Sequence, residues 1–184
     1  GVLFLLPAWG TLALALLALW AGVWELAALA EQGGQPLPRS LMAIFSAATL
    51  VAAGTAWFPI EVALLGALIV TGCLLVGEAR PETDVLRRAG ILLLPTLYLG
   101  LPLGAMVAIR RIDGPLVLGL LLATTVISDT AQYYGGRRFG RRLLAPRVSP
   151  KKTIEGAISG LVVGGLVLPT AGATLLPGAP FWLL

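Results

Sequence analysis

The sequence predicts an all-α, polytopic integral membrane bundle with about six transmembrane helices in 184 residues. Three observations predict it. Hydrophobic residues make up 58% of the chain and charged residues 12%, about half the ~25% charged content of an ordinary soluble domain. Mean hydropathy is +0.92. The apolar residues fall in runs of about 20, the length that crosses a ~30 Å hydrocarbon layer at ~1.5 Å per residue. A disordered chain is excluded, because it needs low hydrophobicity and high charge.

The runs lie at about 3–30, 39–57, 58–77, 89–109, 115–135 and 155–176, and a seventh starts near Phe181. The first is too long for a cleavable signal peptide and lacks a basic start. A Gly/Pro-rich turn at 32–38 closes it. Trp57-Phe58-Pro59 divides the second run from the third, an interfacial aromatic followed by a helix breaker. Pro95 and Pro102 fall in the fourth run, where a kink is expected rather than a break. A transporter would repeat such interruptions in a second half, and no matching half exists. Segments 78–88 and 136–154 are polar loops, the latter the only long one.

Eleven of the thirteen basic residues fall in the first, third and fifth connections. The positive-inside rule therefore places these, including 136–154, on the cytoplasmic side of a bacterial inner or plasma membrane. Glu25 and Glu61 lie near the ends of apolar runs and receive no catalytic role. The single cysteine, Cys73, excludes an intrachain disulfide, and the absence of histidine excludes His general bases and most zinc or iron sites.

The chemistry is concentrated in Ser128 to Gly160. Asp129 follows an apolar run, and a carboxylate there needs an ion, a partner charge or a polar cavity. The plainer alternative is an interfacial Asp capping the helix end, which opposes the macrodipole. Tyr133 and Gly136 share its helical face at i+4 and i+7. Arg137, Arg138, Arg141, Arg142, Arg147, Lys151 and Lys152 follow with no acid among them. For Arg141 and Arg142 the favoured role is juxtamembrane charge facing anionic lipid. Nucleic acid is not expected, because the patch lies between membrane helices and lacks interleaved aromatics apart from Phe139.

Ser149-Pro150 reads as an N-cap and N1 pair, with Thr153 a second N-cap candidate and Glu155 in the first turn. Either start places Lys151 and Lys152 at or just before a helix N-terminus, where a bound polyanion would offset the unfavourable charge. A membrane-level Asp able to hold Mg²⁺, beside cations able to hold phosphates, points to phosphoryl or nucleotidyl transfer.

The pattern resembles that of the CDP-diacylglycerol synthase (phosphatidate cytidylyltransferase) family. Ser128, Asp129, Thr130, Ala131, Tyr133, Gly136, Arg137, Phe139, Gly140 and Arg141 fit its first part. Leu144, Pro146, Val148, Ser149, Pro150, Lys151, Lys152, Thr153, Glu155 and Gly156 fit its second. Trp24-Glu25-Leu26 is similar to an early family motif. The resemblance implies that CTP and phosphatidate react with Mg²⁺ to give CDP-diacylglycerol and pyrophosphate, in phospholipid biosynthesis. It implies that Asp129 binds metal and that Lys151 and Lys152 contact the CTP phosphates or pyrophosphate. Arg137 would bind an anionic group, while Tyr133, Gly136, Ser149, Thr153 and Glu155 would bind substrate or support the site. The expected partners are CTP, phosphatidate and membrane lipids, with a homodimer left open. A CTP-dependent lipid or polyprenol kinase, and a non-catalytic transporter or scaffold, are the competing readings.

The family's C-terminal signature, ending similarly to P-G-H-G-G-x-x-D-R-x-D, is absent. The chain also begins at Gly1 and stops within Phe181-Trp182-Leu183-Leu184. The expectation is one membrane domain over 1–184, incomplete at its C-terminus and inactive by itself.

Overall fold

The computed structural model describes residues 7–34, 37–77, 85–146 and 149–176. The chain divides into two compact units, Gly1–Pro115 and Leu116–Leu184. Among the described residues, five helical stretches are long and apolar enough to cross a bilayer: Trp9–Gln32, Ile60–Gly77, Val85–Ile112, Gly114–Phe139 and Ile154–Leu175. A sixth apolar helix, Arg39–Thr55, has 17 residues. Each of the six expected runs therefore contains a helix among the described residues, and the protein is an integral membrane helix bundle. The seventh run lies outside the described residues.

The first unit contains α1 (Ala8–Gln32), α2 (Arg39–Thr55), α3 (Ile60–Gly77), α4 (Val85–Pro95), a π-helical turn (Thr96–Gly100) and α5 (Leu101–Ile112). Arg39 joins the start of α2 to the end of α1. Its Nη2 and Nε donate to the two carboxylate oxygens of Glu31 at 2.7 and 3.1 Å, and its guanidinium lies 5.0 Å from the Trp24 ring centroid. At the other end α2 stops because Ala56 turns left-handed, at φ 56°. Pro59 then precedes α3, at the boundary expected from sequence.

α2 is the centre of this unit. Met42 and Leu50 are fully buried and pack with Leu19, Val23, Leu92 and Val107. Backbones approach closely on one side: a Cβ on Gly100 would stand 2.6 Å from the Ser46 carbonyl oxygen, and one on Gly104 would stand 2.9 Å from that of Leu50. Lipid supplies no hydrophobic drive for helix association, so such close dispersion contacts carry the packing. Large apolar residues such as Leu65, Leu68 and Ile69 of α3 face outward, as lipid-facing residues should.

The fourth run continues through both prolines. The Leu101 N–H bonds to the Thr96 carbonyl, a five-residue step, directly before Pro102. A proline ring collides with the carbonyl four residues back and brings no N–H. One widened turn accommodates both defects without breaking the helix.

The second unit contains nearly all of α6 (Gly114–Phe139), a two-stranded antiparallel hairpin, β1 (Leu143–Ala145) and β2 (Ser149–Thr153), and α7 (Ile154–Leu175). Leu143 pairs with Thr153 and Ala145 with Ser149. Two expectations are corrected here. The polar segment 136–154 is helical as far as Phe139, because Arg137 and Arg138 suit both a helix and the negative end of its dipole. Ser149-Pro150 does not cap a helix, because strand pairing with β1 holds it extended; Thr153 is the N-cap.

Candidate active site

Asp129, Gln132, Tyr133 and Gly136 stand at i, i+3, i+4 and i+7 on α6 and form one wall of a pocket. Asp129 is ten residues before the helix end at Phe139, a distance of ~15 Å along the axis. A helix-end capping role is thereby excluded.

α6 and α7 touch at their backbones. A Cβ on Gly156 would lie 2.8 Å from the Gln132 carbonyl oxygen and 2.9 Å from the Gly136 Cα. One on Gly160 would lie 3.0 Å from the Ser128 carbonyl oxygen. Ser128 Oγ donates to the Gly160 carbonyl at 2.8 Å, an interhelical bond beside Asp129. Glycine is required here because any side chain would push the helices apart and open the wall.

The hairpin is held from behind. Glu155 Oε2 accepts the backbone N–H groups of Arg141 and Arg142 at 3.1 and 3.3 Å. The Ile154 N–H donates to the Arg142 carbonyl at 2.9 Å. Thr153 Oγ1 accepts the Gly156 N–H at 3.2 Å. Two of the first three N–H groups of α7 thus have protein partners. An anion beside this helix start therefore meets the lysine side chains more than free helix N–H groups.

The resulting pocket has a volume of about 680 Å³. Eight of the nine site residues named from sequence line it: Asp129, Tyr133, Gly136, Arg137, Ser149, Lys151, Lys152 and Thr153. Glu155 does not; it acts through the hairpin backbone. Gly156, part of the matched pattern but given no role from sequence, also lines the pocket, as does Gln132, which the sequence reading passes over although it stands at i+3 from Asp129. Among the described residues, three cations and one carboxylate line the pocket, a balance that favours a polyanion. Lys151 and Lys152 are exposed on β2. Arg137 Nη1 approaches the Tyr133 hydroxyl at 3.4 Å, and the Tyr133 ring meets that of Tyr134 edge-on at 5.3 Å. Arg138 instead lies over the Phe139 ring, at 5.8 Å. The Arg141 and Arg142 side chains are exposed outside the pocket lining, and Arg147 lies outside the described residues.

Among the described residues, no group of three or more carboxylate, His or Cys side chains could enclose a metal by itself. Asp129 suits the mode Mg²⁺ uses with nucleotides, in which one or two carboxylates share the ion with water and substrate phosphates. Ser149 and Thr153 add neutral oxygens to the same pocket.

The sequence profile of the cytidylyltransferase family matches residues 1–183. A phosphatidate cytidylyltransferase of Helicobacter pylori is 29% identical over 126 residues, 68% of this chain and 44% of that protein. One of Bacillus subtilis is 33% identical over 113 residues, 60% of this chain and 40% of that protein. One of Pseudomonas aeruginosa reaches 48% over 50 residues, 26% of this chain and 18% of that protein. These alignments cover less than half the length of each relative. No solved structure matches the chain. With the profile running along essentially its whole length, the chain belongs to the cytidylyltransferase family.

Proposed function

We propose that the protein is a phosphatidate cytidylyltransferase, making CDP-diacylglycerol and pyrophosphate from CTP and phosphatidate. The observation that carries this reading is the pocket in which Arg137, Lys151 and Lys152 converge with Asp129 of a membrane helix. The reaction joins a water-soluble triphosphate to a phosphate anchored in lipid, and a cationic pocket beside a bilayer-spanning helix suits both. A phosphatidate phosphate oxygen attacks the α-phosphorus of CTP. The bond from that phosphorus to the α–β bridging oxygen breaks, and pyrophosphate leaves with the electron pair.

Lys151, Lys152 and Arg137 hold the phosphates and stabilise charge developing on the departing pyrophosphate. Asp129 is the residue that would hold Mg²⁺, which when bound neutralises triphosphate charge. Tyr133, Gly136, Ser149 and Thr153 shape the pocket, and Glu155 positions its lysine-bearing strand. The hairpin faces the cytoplasm, a placement supported by the distribution of Arg and Lys between connections.

The test uses full-length protein in mixed micelles of detergent and phosphatidate with labelled CTP and Mg²⁺. The expected product is a CDP-lipid, formed in step with pyrophosphate. A phosphorylated alcohol as product would assign a lipid kinase instead. No CTP turnover by folded protein would refute the enzymatic reading.

A further inference from the structure

The first unit carries a second concavity, of about 640 Å³, where the end of α2 and the turn after it meet α5. Its floor includes Ala52, Ala53 and Ala56, at the end of α2, with Ala105 and Ala108 of α5. Most outward positions of α3 carry Leu, Ile or Val, so this run of alanines leaves a groove in an otherwise filled apolar surface. Within a bilayer an apolar groove takes hydrocarbon, because water finds no polar partners there and a void forfeits dispersion contacts.

Two features mark the lip of the groove as headgroup level. Trp57, which lines it, is 78% exposed, as an interfacial tryptophan is. Arg111 stands three residues after Ala108 and four after Val107 on α5, beside the groove on its α2 edge and not in its lining. Its Nε donates to the Gly54 carbonyl at 3.0 Å, in the last turn of α2. That bond fixes the guanidinium between the two helices that form the groove, and Arg111 is otherwise exposed. A guanidinium held by one N–H keeps further donors in the fork geometry that suits phosphate. Asp113, two residues on, is the C-cap that follows α5.

We propose that this groove binds an anionic phospholipid of the surrounding membrane, its acyl chain along the alanines and its phosphate on Arg111. Charge complementarity selects the occupant, since an apolar groove alone would not distinguish headgroups. The site lies wholly in the first unit and is independent of the nucleotidyl-transfer reading.

The test is native mass spectrometry of full-length protein exchanged into phosphatidylglycerol or phosphatidylcholine with identical acyl chains. Wild type is expected to retain phosphatidylglycerol preferentially. Arg111→Gln should reduce that retention by about tenfold, the scale of one charge-assisted hydrogen bond. Arg111→Lys keeps the charge but loses the fork, and should restore only part of it. Ala105→Phe fills the groove from an exposed position and should abolish retention with an unchanged circular-dichroism spectrum. Equal retention of both lipids, or no effect of Arg111→Gln and Ala105→Phe, would overturn the proposal. A dimer cross-linked through Trp57 and lost in Ala105→Phe would also overturn it, making a second copy the occupant.

Discussion

The Glu155 carboxylate accepts the backbone N–H of Arg141 at 3.1 Å, joining the first turn of α7 to the chain leaving α6. The same oxygen takes the Arg142 N–H at 3.3 Å. Glu155 thus closes the loop that carries Lys151 and Lys152 without lining their pocket. Glu155→Ala should increase amide hydrogen exchange at Arg141 and Arg142 by roughly tenfold and raise the KM for CTP more than it lowers kcat. Glu155→Gln keeps one acceptor oxygen and should fall between Ala and wild type. Unchanged exchange at both amides in Glu155→Ala would remove this role.

Gly156 is the tightest backbone contact between α6 and α7 for which a side chain has nowhere to go. Gly156→Ala should destabilise the protein by about 1–3 kcal/mol, the usual cost of overpacking, and lower CTP affinity with it. Gly165 is the control, because a Cβ added there would meet nothing within 4 Å. Gly165→Ala should be neutral or stabilise by up to ~1 kcal/mol through helix propensity. Thermal unfolding in detergent measures both, and equal effects would contradict the packing account.

Ser128→Ala separates the interhelical hydrogen bond from the glycine contact beside it. Such bonds in membrane proteins contribute about 0.6 kcal/mol on average. The variant should therefore lose much less stability than Gly156→Ala, and a loss as large would make the hydroxyl, not the close approach, the main tie.

In the first unit, Gly100→Ala places a methyl against the Ser46 carbonyl oxygen, 2.6 Å away. The neighbour is backbone of a central helix and cannot rotate aside. A loss of about 1–3 kcal/mol is expected from thermal unfolding. Gly90→Ala, with open space around it, should show none of that loss.

The six helical runs were legible because the bilayer fixes their length and lipid forbids unpaired backbone. The boundary at Pro59 followed from an interfacial aromatic next to a helix-breaking proline. The widened turn before Pro102 did not, because sequence shows where a proline sits but not how the helix yields to it. The last turn of α6 was hidden by Arg137 and Arg138, which lower hydropathy yet favour a helix. The hairpin was hidden by Ser149-Pro150, whose local preference for a helix start is overridden by pairing with 143–145 and by the Glu155 bond from beyond it. Charge made Asp129, Lys151 and Lys152 conspicuous. Gln132, polar but uncharged, drew no notice, although the helical spacing that selected Tyr133 applied to it equally.

The most direct measurement is the rate of CDP-lipid formation from labelled CTP and phosphatidate, comparing full-length wild type with Asp129→Asn and Lys152→Ala. If the pocket is the nucleotidyl-transfer site, wild type makes the CDP-lipid and each variant loses roughly 10²–10³-fold in kcat, as expected for removing a transition-state electrostatic contact. Wild-type rates in both folded variants would contradict the assignment.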